Sequence, residues 1–146
     1  MRLLPATTVL WTSIVAAALS TALAGHAKDS NEPEPRYDPA TVISISGIIQ
    51  DVREMVHPVG MKGIHVTLRV EKRTVQIYLC PARFLGAFEL RLAKGDDIQV
   101  TGSKVKFGGS DLILARQVRK NNEVLVLRDE HGRPYWEDEI FKNCLP

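Results

Sequence analysis

A bias of charge is what this chain most plainly lacks. It carries 19 lysines and arginines against 17 aspartates and glutamates, and both signs are interspersed along its length. That balance excludes the polycationic surface on which sequence-independent nucleic-acid binding depends. Cysteine is scarce as well, with only Cys80 and Cys144. No C-x-x-C, H-E-x-x-H, phosphate-loop or nucleophile-elbow phrase occurs, so none of the common metal, nucleotide or acyl-transfer signatures is present. Asp96-Asp97 and Asp129-Glu130 are paired acids in turn-like surroundings, where carboxylates satisfy backbone donors more readily than they share a catalytic proton. The chain reads as a non-enzymatic one.

Charge is missing altogether from residues 3–25. A basic start at Arg2, an uncharged apolar run and small residues around Ala24 and Ala27 are the layout of a secretory signal peptide over residues 1–27. An uncleaved anchor would need a run of similar length, but this one is diluted by threonine, serine and proline and ends in small residues rather than a basic stop. The expected location is periplasmic or secreted, with no membrane span once the signal is cleaved. Removal of Arg2 from the 19 basic residues leaves 18 against 17 acidic, a net charge of +1.

About 120 residues remain, enough for one domain. Residues 28–40 contain three prolines among charged and small polar groups, which predicts a disordered tether. From residue 41 the pattern turns to β. Residues 42–52 are β-branched with Gly47 at a candidate bend, and Ile64, Val66, Leu68 and Val70 alternate with His65, Thr67, Arg69 and Glu71. Residues 74–80 continue the alternation. Pro81 then opens an expected helix in which Phe84, Leu85, Phe88 and Leu92 recur at helical spacing, closed by Lys94-Gly95-Asp96. Further strands are expected over residues 97–105, 111–119 and 124–127, separated by Gly108-Gly109 and Asn121-Asn122 turns. The domain is thus mainly β, spanning residues 41–136, with a tail at 137–146.

Three strands, a helix, two strands and a hairpin-like C-terminal extension, together with the phrase running from Lys94 to Gly102, resemble exported bacterial OB-fold proteins. The resemblance implies a five-stranded OB-like barrel with its one helix between strands 3 and 4. It also implies a binding face on the second and third strands, here His65, Arg69, Gln76 and Tyr78, for an exported small ligand, glycan, peptide or protein surface. Single-stranded nucleic acid is the weaker ligand class on this face, since Tyr78 is its only aromatic platform.

Met55, His57, Met61 and His65 fall within eleven positions. Thioether and imidazole are the ligands that suit Cu(I), which makes metal handling the alternative to a binding module without a cofactor. The set is similar in kind to that of small periplasmic copper-binding OB barrels, which add a tryptophan; Trp136 is the candidate here. In an oxidising compartment Cys80 and Cys144 could pair, closing a long loop worth ~4 kcal/mol, or remain as two thiols. Partner and assembly state are not encoded in any motif.

Overall fold

In a computed structural model, residues 34–55, 61–139 and 142 are described. The expected signal segment, the start of the expected tether, His57 and Cys144 lie outside them. Six strands run as β1 (Val42–Met55), β2 (Gly63–Val70), β3 (Arg73–Tyr78), β4 (Asp97–Phe107), β5 (Ser110–Lys120) and β6 (Glu123–Val126), with α1 (Ala82–Gly86) between β3 and β4. The sheet order is β3-β2-β1-β4-β5-β6, and a parallel pairing of β3 with β5 closes the first five strands into a barrel. This is the OB-like architecture, with β6 added outside it. No helix among the described residues is long and apolar enough to cross a membrane.

β1 is shared between two partners. Its first half pairs with β4 as far as Ile48 and its second half with β2 from Ile48 onward, so the strand must coil sharply at that point. Gly47 allows it: a side chain there would collide with the carbonyl oxygen of Arg69 on β2. A bulge between Ile49 and Asp51 adds the extra twist that closing a small barrel requires. On β2, Val66 and Leu68 are fully buried while Thr67 and Arg69 face outward, the alternation that the sequence carries. Ile49, Ile77, Ile98, Val100, Ile113 and Val118 complete the interior.

Two expectations are corrected. The helix is a single short turn rather than a segment reaching residue 94. After Gly86 the chain turns through Ala87–Glu89 and leaves the helix, with Phe88, Leu90 and Leu92 turned inward and Ala87, Glu89 and Arg91 exposed. Phe-Glu-Leu-Arg-Leu satisfies a period of two as well as a helical one. Glycine is a poor helix interior residue, and the strand-like spacing lets one short segment cover the barrel end. The tether, for its part, does not extend to residue 40. Tyr37 packs on the core, the Asp38 amide donates to Ser103 Oγ at 3.0 Å, and Thr41 Oγ1 lies 2.9 Å from the same oxygen, so residues 37–41 clasp β4.

The C-terminal extension is built on a second bulge. Between Thr101/Gln117 and Gly102/Ala115 the β4–β5 register skips Arg116, whose carbonyl accepts both Leu127 N–H (2.7 Å) and Arg128 N–H (3.1 Å). An Arg128–Pro134 bridge and the short 3-10 turn Tyr135–Glu137 then bring Trp136 back onto the barrel.

Exposed ion pairs give the fold an acid limb. Asp96 accepts from Lys120 Nζ (2.7 Å) and from Ala93 N–H (2.8 Å), and chiefly the lysine holds its carboxyl below the usual range. Asp111 is lowered in the same way by Lys106 and Lys104. A carboxylate with a depressed folded pKa stabilises the fold above its unfolded value, near 3.9, and that contribution disappears as pH falls through the folded value. Chemical-denaturation midpoints are therefore expected to hold steady from neutrality to about pH 4 and drop below it, with a shallower drop in Asp96→Asn.

Candidate ligand groove

Beyond the barrel two hairpins project. One is the end of β1 with the start of β2, where Asp51 faces Thr67, Arg53 faces His65 and Met55 faces Gly63. The other is the β4–β5 tip, where Lys106 faces Asp111 and Phe107 faces Ser110 across the Gly108-Gly109 turn. Both glycines there have positive φ, which a tight two-residue hairpin needs. Between the two arms lies a concavity of about 360 Å³, and one of about 370 Å³ adjoins it on the β1–β2–β3 side, with Gln76 of β3 lining both. That volume is in the range of small-molecule sites. A separate hollow of about 110 Å³ beside Ile43, Val75 and Ile113 is too small for such a ligand.

The sequence-derived residues divide over this geometry. Met55, Met61, His65 and Gln76 all line the groove. Arg69 does not; it belongs to a shallow depression with Gly47, Glu71 and Asp97 further along the sheet. Tyr78, expected to offer its ring to a ligand, is 5% exposed. Its ring meets Trp136 edge-on at 6.5 Å, the Arg128 guanidinium stands 5.4 Å from its centroid, and its hydroxyl donates to the Lys62 carbonyl at 3.0 Å. Burial pushes its pKa up to about 12. The extension covers the outer face of β3 at this point, and a sequence reading of a bare hairpin cannot supply that cover. Trp136 packs against Phe84 and Tyr78 in the core and is not a groove residue. Arg53, Phe107, Gly108, Ser110, Asp111 and Leu112 complete the concavity between the arms; the sequence predicts the Gly108-Gly109 turn, but not its approach to β1.

The groove's acids are engaged by cations. Asp51 is ion-paired with Arg53, and Asp111 with Lys104 (3.0 Å) and Lys106. His65 Nε2 lies 2.9 Å from the Met61 carbonyl oxygen, which can only accept, so this nitrogen carries the proton. The ring also packs at 5.2 Å on Tyr78. The Met61–Gly63 approach to β2 is thereby fixed by His65 and Tyr78, and Tyr78 in turn by Arg128 and Trp136.

Arg128 is the buried charge behind this wall. Its Nη1 donates to the carbonyls of Leu79 (3.1 Å) and Ala115, and its Cζ lies 4.6 Å from the Trp136 ring centroid. Leu79 and Ala115 are the residues just past the end of the β3–β5 ladder, which stops at Tyr78/Leu114. The guanidinium thus bridges the two strands where their backbone pairing ends.

Cys80 is a fully buried free thiol, and burial raises its pKa to about 12. Its expected partner Cys144 lies outside the described residues. Thiols react as thiolates. Cys80 is expected to resist iodoacetamide at pH 8 in the native protein and to be modified promptly in denaturant, as peptide mass mapping would show; modification at the same rate in both states would contradict its burial.

No curated protein matches the chain. A family model matches residues 41–125, more than half of the sequence and a span that contains every groove residue but ends before Arg128 and Trp136. On that match the chain belongs to the MamS/MamX magnetosome protein family.

Proposed function

We propose that the chain is an exported, non-enzymatic module that serves the magnetosome by holding a ligand in the groove between its two hairpin arms. The observation that carries this reading is the position of the groove. It lies between the strand ends of the β1–β2 hairpin and the β4–β5 turn of a closed five-stranded barrel, with Gln76 of β3 beside it, on the side where OB barrels receive their ligands. A binding role without chemistry is supported by the groove's carboxylates. Asp51 and Asp111 are held by cations, and the Asp111 carboxyl is depressed, whereas a general acid or base needs a pKa moved toward neutrality. Membership of the family supports a magnetosome setting, and the signal-like layout of residues 1–27 supports export. Burial of Tyr78 removes the stacking platform that single-stranded nucleic acid would use.

Intact mass spectrometry of the protein purified under native conditions from its producing cells tests this reading. A retained adduct is expected in the wild type and should be at least tenfold depleted in His65→Ala/Gln76→Ala, since losing two central contacts costs upwards of ~1.4 kcal/mol. An adduct of undiminished occupancy in that folded variant would put the site elsewhere.

A further inference from the structure

We propose that the hollow beside Ile43 is a docking site for the C-terminal residue of a partner protein. Ile43, Ile45, Val75 and Ile113 receive an aliphatic side chain, and Arg73 and Lys104 its α-carboxylate. The inference goes beyond the groove reading and stands apart from it, since the hollow and the concavity between the arms share only Asp111 among their lining residues.

The opening follows from the topology. β1, β3 and β5 begin at this end of the barrel and β4 finishes there, whereas α1 and Trp136 are packed against Tyr78 and Phe84 beyond the opposite end of β3. The parallel β3–β5 ladder starts only at Gln76/Leu112, and β1 meets β2 only from Ile48 onward. Residues 73–75 therefore have no strand beside them on the side away from β2 among the described residues, and Ile43 is left 37% exposed. A free strand edge next to an apolar hollow lets an extended chain end lay down its backbone while one side chain is buried.

Size and charge select the occupant. The hollow measures about 110 Å³. A cavity of ~150 Å³ admits benzene, so the smaller one here matches a single leucine-sized group. Asp111 is the one acid among its lining residues and is shared between Lys104 (3.0 Å) and Lys106, while Arg73 makes no ion pair among the described residues. Three cations around one carboxylate leave a surplus of positive charge at the mouth. Neighbouring side chains of an extended peptide point to opposite faces, so an acid next to the buried residue would be carried away from these cations. A terminal α-carboxylate stays beside its own side chain, and a guanidinium can bind it through two N–H groups.

The test is an amide NMR titration of the isotope-labelled full-length protein with the acetylated tetrapeptide Ala-Ala-Ala-Leu, as the free acid and as the C-terminal amide. The free acid is expected to give saturable shifts at residues 43–45, 73–75 and 111–113, and the amide to bind at least tenfold more weakly, a difference of ~1.4 kcal/mol or more. Arg73→Gln, which removes an exposed charge, and Ile43→Phe, which fills the mouth, should each weaken the free acid at least tenfold with cooperative unfolding retained. Equal binding of acid and amide would overturn the proposal, and that comparison needs only the wild-type protein. So would the absence of saturable shifts, shifts confined to groove residues 53, 65 and 76, or undiminished affinity in both folded variants.

Discussion

Arg128→Ala is expected to cost the barrel about 3 kcal/mol, from two buried carbonyls left without donors and a cavity beneath Trp136. In a domain of this size that corresponds to a melting temperature lower by roughly 10–20 °C. The guanidinium spans Leu79 and Ala115 at the seam where β3 and β5 part, and it fills the space between the Tyr78 and Trp136 rings. No carboxylate is paired with it among the described ion pairs. Its charge is compensated by carbonyl dipoles and ring faces instead. Arg128→Lys keeps the charge but loses the planar guanidinium set against the Tyr78 and Trp136 rings, and should recover less than half of the loss. Equilibrium urea unfolding measures both variants; wild-type stability in Arg128→Ala would show that the seam closes without the clasp.

Gly102→Ala should be of similar severity, with a loss of about 2–3 kcal/mol. Gly102 sits at the β4–β5 register skip, and an added methyl group would meet the Leu114 carbonyl oxygen, the Ala115 Cα at 2.8 Å and Ile113 Cγ2 at 2.9 Å. Two of these are backbone atoms of the neighbouring strand and cannot step aside without parting the ladder. Gly86→Ala provides the contrast, since nothing lies within 4 Å of the added atom and its φ is not positive. That change should be neutral or stabilising by up to ~1 kcal/mol. Equal unfolding midpoints for the two variants would contradict the close packing assigned to the bulge.

The contrast between these positions shows what the sequence could and could not convey. Alternation of Ile64, Val66 and Leu68 with His65, Thr67 and Arg69 predicts both the strand and its faces, because a half-buried strand imposes a period of two on a short local window. Phe88-Glu89-Leu90-Arg91-Leu92 fits two periods at once. The chain leaves the helix there, and Phe88, Leu90 and Leu92 pack on the core. Tyr78 has an outward position in the pattern but is buried, since the residues that cover it stand fifty or more positions later in the chain. Arg128 looks from its neighbours Asp129, Glu130 and His131 like part of a solvated turn. Only the register skip at Arg116 reveals why a cation is drawn into the barrel.

The groove was legible in half. Met55, Met61, His65 and Gln76 lie within 22 consecutive residues, and their chemistry and strand facing mark them as candidates. Phe107 and Asp111 come from a second hairpin, and their approach depends on the parallel closure of β3 onto β5, which no local pattern encodes. Arg69 was grouped with them by alternation alone. Coiling of β1 at Gly47 carries that end of the sheet away from the arms, to a different depression.

Hydrogen–deuterium exchange on the protein as isolated, compared with the same protein stripped of its ligand by unfolding and refolding, tests the groove most directly. Slower exchange is expected in the isolated form at residues 51–55, 61–67 and 107–112, with no change along the β6 edge at residues 123–126, where Val124 and Val126 are exposed. Protection confined to that edge, or identical exchange of both forms along the two arms, would contradict it.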